Sequence, residues 1–184
     1  MISNRAQNSF DQMVMLGMKA SMGGGSPEAL EVEVVASLKH IKETSVVMLT
    51  VASFVFRLSV MVYFSPNEET KAYFARVNNV DPAEMSEIAF FDAIREFGNI
   101  CCGTLNRELA TVYPHVAMST PNIIERECVN HLESLNGGHL QHFRATIDSD
   151  RQFFVSLCVR DYGDIDFDWA VAEDATSAGE MEFF

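Results

Sequence analysis

The stretch from Val46 to Phe64 constrains this chain more than any other: nineteen mostly apolar residues in one run, long enough by length alone to cross a bilayer. Arg57 near its middle, together with Thr50, Ser53 and Ser59, makes insertion into hydrocarbon costly. Periodicity points elsewhere. Phe54, Phe56, Leu58, Val60, Val62 and Phe64 share one face at period two, opposite Arg57, Ser59 and Tyr63, as a half-buried sheet requires. Ser45 to Val51 is rich in β-branched residues, so the run reads as two strands meeting near Ala52-Ser53. Such strands need an apolar cover.

Helices supply it. Phe10, Met13, Val14 and Gly17 recur at i, i+3, i+4 and i+7, predicting an opening helix over residues 5–22 that Gly23-Gly24-Gly25-Ser26-Pro27 ends. The methionines at 13, 15, 18 and 22 read as core side chains of that helix rather than as an adaptable binding surface. Glu31-Val32-Glu33-Val34 alternates like a strand and, with Ser45 to Val51, suggests a hairpin-like arrangement. Beyond Ser65-Pro66, Glu68 to Val77 predicts a short helix with Ala72, Tyr73 and Val77 turned inward. Asp81 as cap and Pro82 in the first turn predict that the next helix opens near Ala83 and runs to about Thr111.

Val116 to Thr120 reads as a short strand closed by Pro121, Ile123 to Leu135 is ambiguous, and Asn136-Gly137-Gly138 is a turn. His142 to Asp148 and Gln152 to Arg160 read as a hairpin about Asp148-Ser149-Asp150, with Phe153, Val155, Leu157 and Val159 facing the core. The acidic tail, residues 172–184, is expected to be mobile, leaving 1–171 as one domain.

Composition narrows the function. A chain of 184 residues with 48% hydrophobic content buries a real core and is not disordered as a whole. Its formal charge of -13 removes the phosphate attraction that nucleic-acid binding needs, and favours a protein partner or a cationic site. Cys101, Cys102, Cys128 and Cys158 form no C-x-x-C pair or disulfide framework, so reduced thiols are expected. The opening MISNRAQNSFDQMVM lacks the pattern of a signal peptide. A cytoplasmic location is the expectation. His139 and His142 are spaced like metal ligands, yet only Cys128 stands near to join them and His131, so no metal site is predicted. The Asn136-Gly137-Gly138 turn lacks the Lys-Ser/Thr of a phosphate loop.

What remains is a stripe. At about 100° per residue, Asp92, Glu96, Asn99, Gly103 and Asn106 share one narrow polar face of the long helix, opposite Ile94, Phe97, Cys101 and Leu105. Glu96 and Asn99 lie one turn apart, where both reach a single partner. Asn is a poor helix former, and Gly98 and Gly103 each cost about 1 kcal/mol against Ala. Broken local rules of this kind mark function or close packing, and Gly98, on the flank of the buried side, suits the latter.

Asp92-x-x-x-Glu96-x-x-Asn99, followed by Ile100, Gly103 and Leu109 and then by Ser119-Thr120-Pro121, resembles the CheC/CheX/FliY phosphatase family of bacterial chemotaxis. The similarity extends more weakly over residues 29–160. The resemblance implies an α/β fold of pseudo-symmetric halves, an antiparallel sheet with helices packed on it. Some family members carry the motif in both halves; this chain, like CheX, carries it once, because no Glu precedes Glu28 in the first helix.

The resemblance also implies a chemistry: dephosphorylation of the phospho-aspartate of a CheY-like response regulator. Asn99 would position the attacking water and Glu96 would pair with the regulator's lysine. Asp92 would support Arg95 or Asn99 or meet the partner directly, and Gly103 and Asn106 would complete the partner-binding stripe. Magnesium would be carried by the regulator, with no cofactor bound by this chain, and a homodimer covering exposed strand edges is expected. A non-catalytic regulator-binding or flagellar-switch module would use the same stripe without hydrolysis. A metal or small-molecule sensor would depend instead on the histidines and the Met-rich helix.

Overall fold

The structure, a computed structural model, describes residues 1–22, 30–132, 137–147 and 151–170. In chain order the elements are α1 (Asn4–Met22), β1 (Leu30–Val35), β2 (Ser45–Ala52), β3 (Phe56–Phe64), α2 (Glu68–Val77), α3 (Glu87–Ala110), β4 (Ala117–Met118), β5 (Asn122–Glu125), a short 3-10 turn (Arg126–Val129), β6 (His139–Ile147) and β7 (Arg151–Asp161). The strands make one antiparallel sheet in the order β1-β6-β7-β3-β2, with β4 and β5 taking successive stretches of the outer edge of β2.

That order is pseudo-symmetric. Each half runs helix, first strand, second strand, third strand: α1-β1-β2-β3, then α3 with the broken strand β4–β5, then β6 and β7. The first strand of each half pairs with the second strand of the other, β1 with β6 and β5 with β2, while the third strands meet at the centre. Glu31-Val32-Glu33-Val34 is therefore a strand as its alternation predicts, but it forms no hairpin with β2. Its Val32 lies opposite Ala145, at the far edge of the sheet.

One face of the sheet carries the main core. Val47, Leu49 and Val51 of β2, Phe56 to Phe64 at period two on β3, and Phe153 to Val159 at period two on β7 pack beneath α1 and α3. Phe10, Met13, Val14 and Met18 of α1 are fully buried there, so the methionine stripe is core. Phe97 of α3 stacks on Phe153 at 5.7 Å between centroids and meets Phe74 of α2 edge-on at 5.8 Å. Residues beyond β7 fold back over α1: Ile165 pairs with Ile2, and Phe167 sits edge-on against Phe10 and Tyr113.

The other face is covered by chain rather than by helices. Leu38, Val46, Met61, Tyr63, Val129 and Cys158 form a second buried cluster under the segments before β2 and after β5. Arg126 fixes this cover, donating from its guanidinium to the carbonyls of Ile41 (2.5 Å), Glu43 (3.3 Å) and Leu38 (3.3 Å). Tyr63, read from sequence as facing the polar side, is buried because both faces of the central strands are covered, and its hydroxyl meets Ser156 Oγ at 3.0 Å.

Three further readings are corrected. Phe54 lies in the β2–β3 turn, closed by Ser53 N donating to Phe56 O, and is 74% exposed rather than aligned with the core face. In α2 the inward residues are Tyr73, Phe74 and Ala75, whereas Val77 at the last turn is exposed. Asp81-Pro82 opens a separate turn, with Asp81 capping Ala83 N at 2.9 Å, and α3 starts only after Ser86. The long apolar strands β3 and β7 are each paired on both sides within the chain, which leaves β1 and β4–β5 as the edges of the sheet.

The ambiguous stretch after Pro121 contains β5 and the 3-10 turn, and its residues 133–135 lie outside the described residues. The glycine-rich end of α1, the Asp148-Ser149-Asp150 turn, Asn136 and the tail 172–184 lie outside the described residues. Among those described, no helix is long and apolar enough to cross a membrane.

Candidate functional site

Helix α3 is held from below and at both ends. Ser86 caps its start, Oγ accepting from Ala89 N at 3.2 Å, and Thr111 closes its end, donating to Glu108 O at 2.6 Å. Ile94, Phe97, Cys101, Leu105 and Leu109 are buried against the sheet. A Cβ at Gly98 would stand 2.9 Å from Leu49 Cδ1 and 3.0 Å from Val47 Cγ1, so this glycine lets the helix lie directly on β2. The opposite face is thereby turned outward.

The structure puts Asp92 and Glu96 exposed on that face, with Asn99, Gly103 and Asn106 half-exposed along it. Asn99 Nδ2 donates to Glu96 Oε2 at 3.3 Å. Asp92 accepts from Arg95 Nη1 at 2.9 Å, so its partner within the chain is Arg95 and not Asn99. Nothing lies within 4 Å of where a Gly103 side chain would begin. Asn106 stands apart: its Oδ1 is buried and has no hydrogen-bond partner among the described residues, a cost to the free chain.

This arrangement can hold a cation and orient a water. Glu96, acceptor-only when ionised, is open to a donor from outside. Asn99 gives one N–H to Glu96 and keeps a carbonyl oxygen that can accept; the 3.3 Å bond is long and exposed, and is exchanged at small cost.

The Ser119-Thr120-Pro121 step lies at the break between β4 and β5. Ser119 N donates to Thr50 O at 2.8 Å, and Thr50 N donates to Ser119 Oγ at 3.0 Å, so the hydroxyl substitutes for a ladder carbonyl where the strand is interrupted. Pro121, with no N–H to satisfy, follows at the break. This step thus holds the split strand onto β2.

The histidines are engaged elsewhere. His139 Nε2 meets Asp11 Oδ1 at 2.7 Å, and His142 Nδ1 meets Ser156 Oγ at 2.7 Å. Among the described residues no three His, Cys, Asp or Glu side chains converge as a metal site would require. All four cysteines are free thiols, with Cys101, Cys102 and Cys158 buried.

Sequence reasoning missed one feature beside the stripe. A cleft of about 80 Å³ between α2 and α3 is lined by Tyr73, Phe74, Val77, Phe97, Ile100 and Glu96, among others. The sequence reading turns Val77 inward, away from the cleft that it lines together with Ile100. An exposed β-branched residue at each helix's facing edge is the signal that finds it.

The architecture defines a class: the fold is the one seen in solved chemotaxis CheX and CheC-like proteins. A chain of the solved CheX–CheY–BeF3–Mg2+ complex from Borrelia burgdorferi is similar to this one with a TM-score of 0.61 at 15% identity, over 84% of this chain and 97% of that one. CheX from Vibrio vulnificus aligns with a TM-score of 0.54 at 16% identity over 83% and 97% of the two chains. A CheC-like superfamily protein from Shewanella sp. PV-4 aligns with a TM-score of 0.54 at 13% identity over 83% and 96%. No family model and no curated protein matches the sequence.

Proposed function

We propose that this protein is a chemotaxis-type phosphatase that removes the phosphoryl group from the phospho-aspartate of a CheY-like response regulator. The observation that carries this reading is the hydrogen-bonded Glu96–Asn99 pair on an unobstructed outer face of α3. It gains support from the fold, which resembles that of a CheX solved together with CheY, beryllofluoride and magnesium.

An acyl phosphate is already primed for hydrolysis, so positioning does most of the work. Glu96 accepts from the regulator's lysine and anchors α3 over the phosphorylated aspartate. Asn99, released from Glu96, accepts from a water through Oδ1 and holds it in line with the phosphorus. The water oxygen bonds to phosphorus as the bond to the aspartate carboxylate breaks, and the water's proton leaves with the phosphate product. Magnesium, which supplies charge neutralisation, is carried by the regulator. Asp92 pairs with Arg95, while Glu96, which takes one long hydrogen bond from Asn99 on Oε2, keeps lone pairs for the lysine.

The test is phosphate release from a panel of phosphorylated CheY-like regulators. Asn99→Ala should slow dephosphorylation on the order of 10²-fold with binding nearly intact, the scale of a misplaced reacting group. Glu96→Lys should weaken binding itself by about tenfold or more. If Asn99→Ala hydrolyses a bound regulator as fast as the unmodified protein, the non-catalytic binding module takes the enzyme's place. A homodimer, with the edges β1 and β4–β5 as its available strands, is part of the proposal; sedimentation showing only monomer across micromolar concentrations removes it.

A further inference from the structure

The proposed site does not stop at the polar stripe. On the α2 side of Glu96 the surface drops into the cleft between α2 and α3, whose floor is Phe74 and Phe97 and whose rims are Val77 and Ile100. These rims are 37% and 40% exposed although both are β-branched aliphatics on helices with a core at hand. Each leaves more than a third of its surface open, and β-branching lowers helix propensity slightly. Single exposed aliphatics are ordinary; two facing each other across an aromatic-floored cleft with a carboxylate at its mouth are a contiguous patch.

We infer that this cleft is a specificity pocket that takes an aliphatic side chain of the response regulator adjacent in space to the lysine held by Glu96. The inference rests on the phosphatase reading above and adds the part of the partner that selects it. Charge complementarity fixes the occupant. Glu96 lines the cleft as well as the stripe, so whatever fills the pocket must bring a cation beside its apolar group. An acidic partner sets like charge against that carboxylate, and a wholly apolar one desolvates it with the long Asn99 hydrogen bond as its remaining donor. The volume, about 80 Å³, admits one aliphatic side chain and not a helix. The stripe itself offers no comparable apolar contact between Asp92 and Gly103, so the polar groups position the reaction and the cleft supplies an anchor desolvated on binding.

The experiment compares Val77→Ser, Ile100→Ser and their double variant with Asn99→Ala, using CheY-like regulators activated with beryllofluoride and magnesium for binding and phosphorylated regulators for turnover. Phe54→Ser, at an exposed aromatic in the distant β2–β3 turn, is the control. Both rim positions are exposed enough for serine to be accommodated, and thermal unfolding checks that the variants are folded. Each rim variant should raise Kd and KM about tenfold, with the loss growing in the double variant, while Asn99→Ala acts on kcat. Rim variants within twofold of the unmodified protein, with Asn99→Ala still slow, overturn the pocket and leave the phosphatase standing. An equal loss in Phe54→Ser also overturns it. Failure of the unmodified protein to bind or dephosphorylate any regulator in the panel overturns both.

Discussion

Gly17 of α1 lies directly against the backbone carbonyl of Cys101 on α3: a Cβ built at Gly17 would sit on that oxygen, with Cys101 Sγ only 3.3 Å away. The corresponding helices of the two pseudo-symmetric halves therefore touch through bare backbone, on the face of α3 opposite the acid–amide pair. A carbonyl cannot rotate aside as a side-chain tip can. Gly17→Ala should force α1 off α3 and destabilise the protein by about 1–3 kcal/mol, the usual cost of overpacking a close core contact. Chemical denaturation that finds the alanine variant as stable as the unmodified protein contradicts the contact.

Gly17 also shows what was readable in advance. Its place at i+7 from Phe10 marked it as part of the inner face of α1, and period two over Phe56–Phe64 and Phe153–Val159 marked two central strands. The stripe from Asp92 to Gly103 followed from helical geometry alone. Pairing did not. Glu31–Val34 and Ser45–Val51 are sequential strands, and sequential strands usually pair; here each half donates its first strand to the other, a long-range exchange that no local pattern encodes. Tyr63 and Met61 were illegible for a related reason: period two shows that two faces differ, not that both are covered. Asp81-Pro82 is a sound cap on composition, but Ser86 stands closer to the apolar run and wins. At the site, side-chain types named the stripe, whereas Val77 and Ile100 became neighbours only through tertiary packing.

Burial sorts the four thiols. Cys102 has its pKa pushed up to about 12 by loss of solvent, Cys101 is driven higher still by burial and then by the neighbouring Cys102, and burial also raises Cys158. The thiolate is the reactive form, so these three should be inert at neutral pH. Cys128, exposed in the 3-10 turn, should account for the one rapid reaction with a thiol reagent, the rest appearing only on unfolding. Mass mapping that finds fast modification at Cys101 or Cys102 contradicts the burial of the inner face of α3.

The segment after β7 is fastened to α1 by a titratable clasp. Arg5 and Ser3 both donate to Asp166, and these hydrogen bonds hold its carboxyl well below the usual carboxylate range. A depressed folded-state pKa contributes stability that is present above the unfolded value, near 3.9, and is lost as pH falls through the folded one. The reporter is at hand: Trp169, the only tryptophan, is anchored three residues on, its backbone N–H donating to Ser9 Oγ at 3.0 Å. Asp166→Asn should shift tryptophan emission to the red at neutral pH, whereas the unmodified protein should shift only below about pH 3.9. Identical neutral-pH spectra mean that the clasp does not hold the segment.

Gly103 separates the needs of the free helix from those of a partner. It sits in the interior of α3 at the cost of roughly 0.5–1 kcal/mol relative to alanine, and nothing within 4 Å of its would-be Cβ explains the choice. Gly17 and Gly98, by contrast, each admit a close neighbour from within the chain. If the space over Gly103 is kept for a regulator's backbone, Gly103→Ala should raise the unfolding midpoint and at the same time weaken binding of an activated regulator. Few substitutions on a protein surface carry opposite signs in two such assays. Denaturation and binding titrations on one preparation give both. A variant that is more stable and binds as well as before removes Gly103 from the interface, and leaves Glu96 and Asn99 to be judged on their own substitutions.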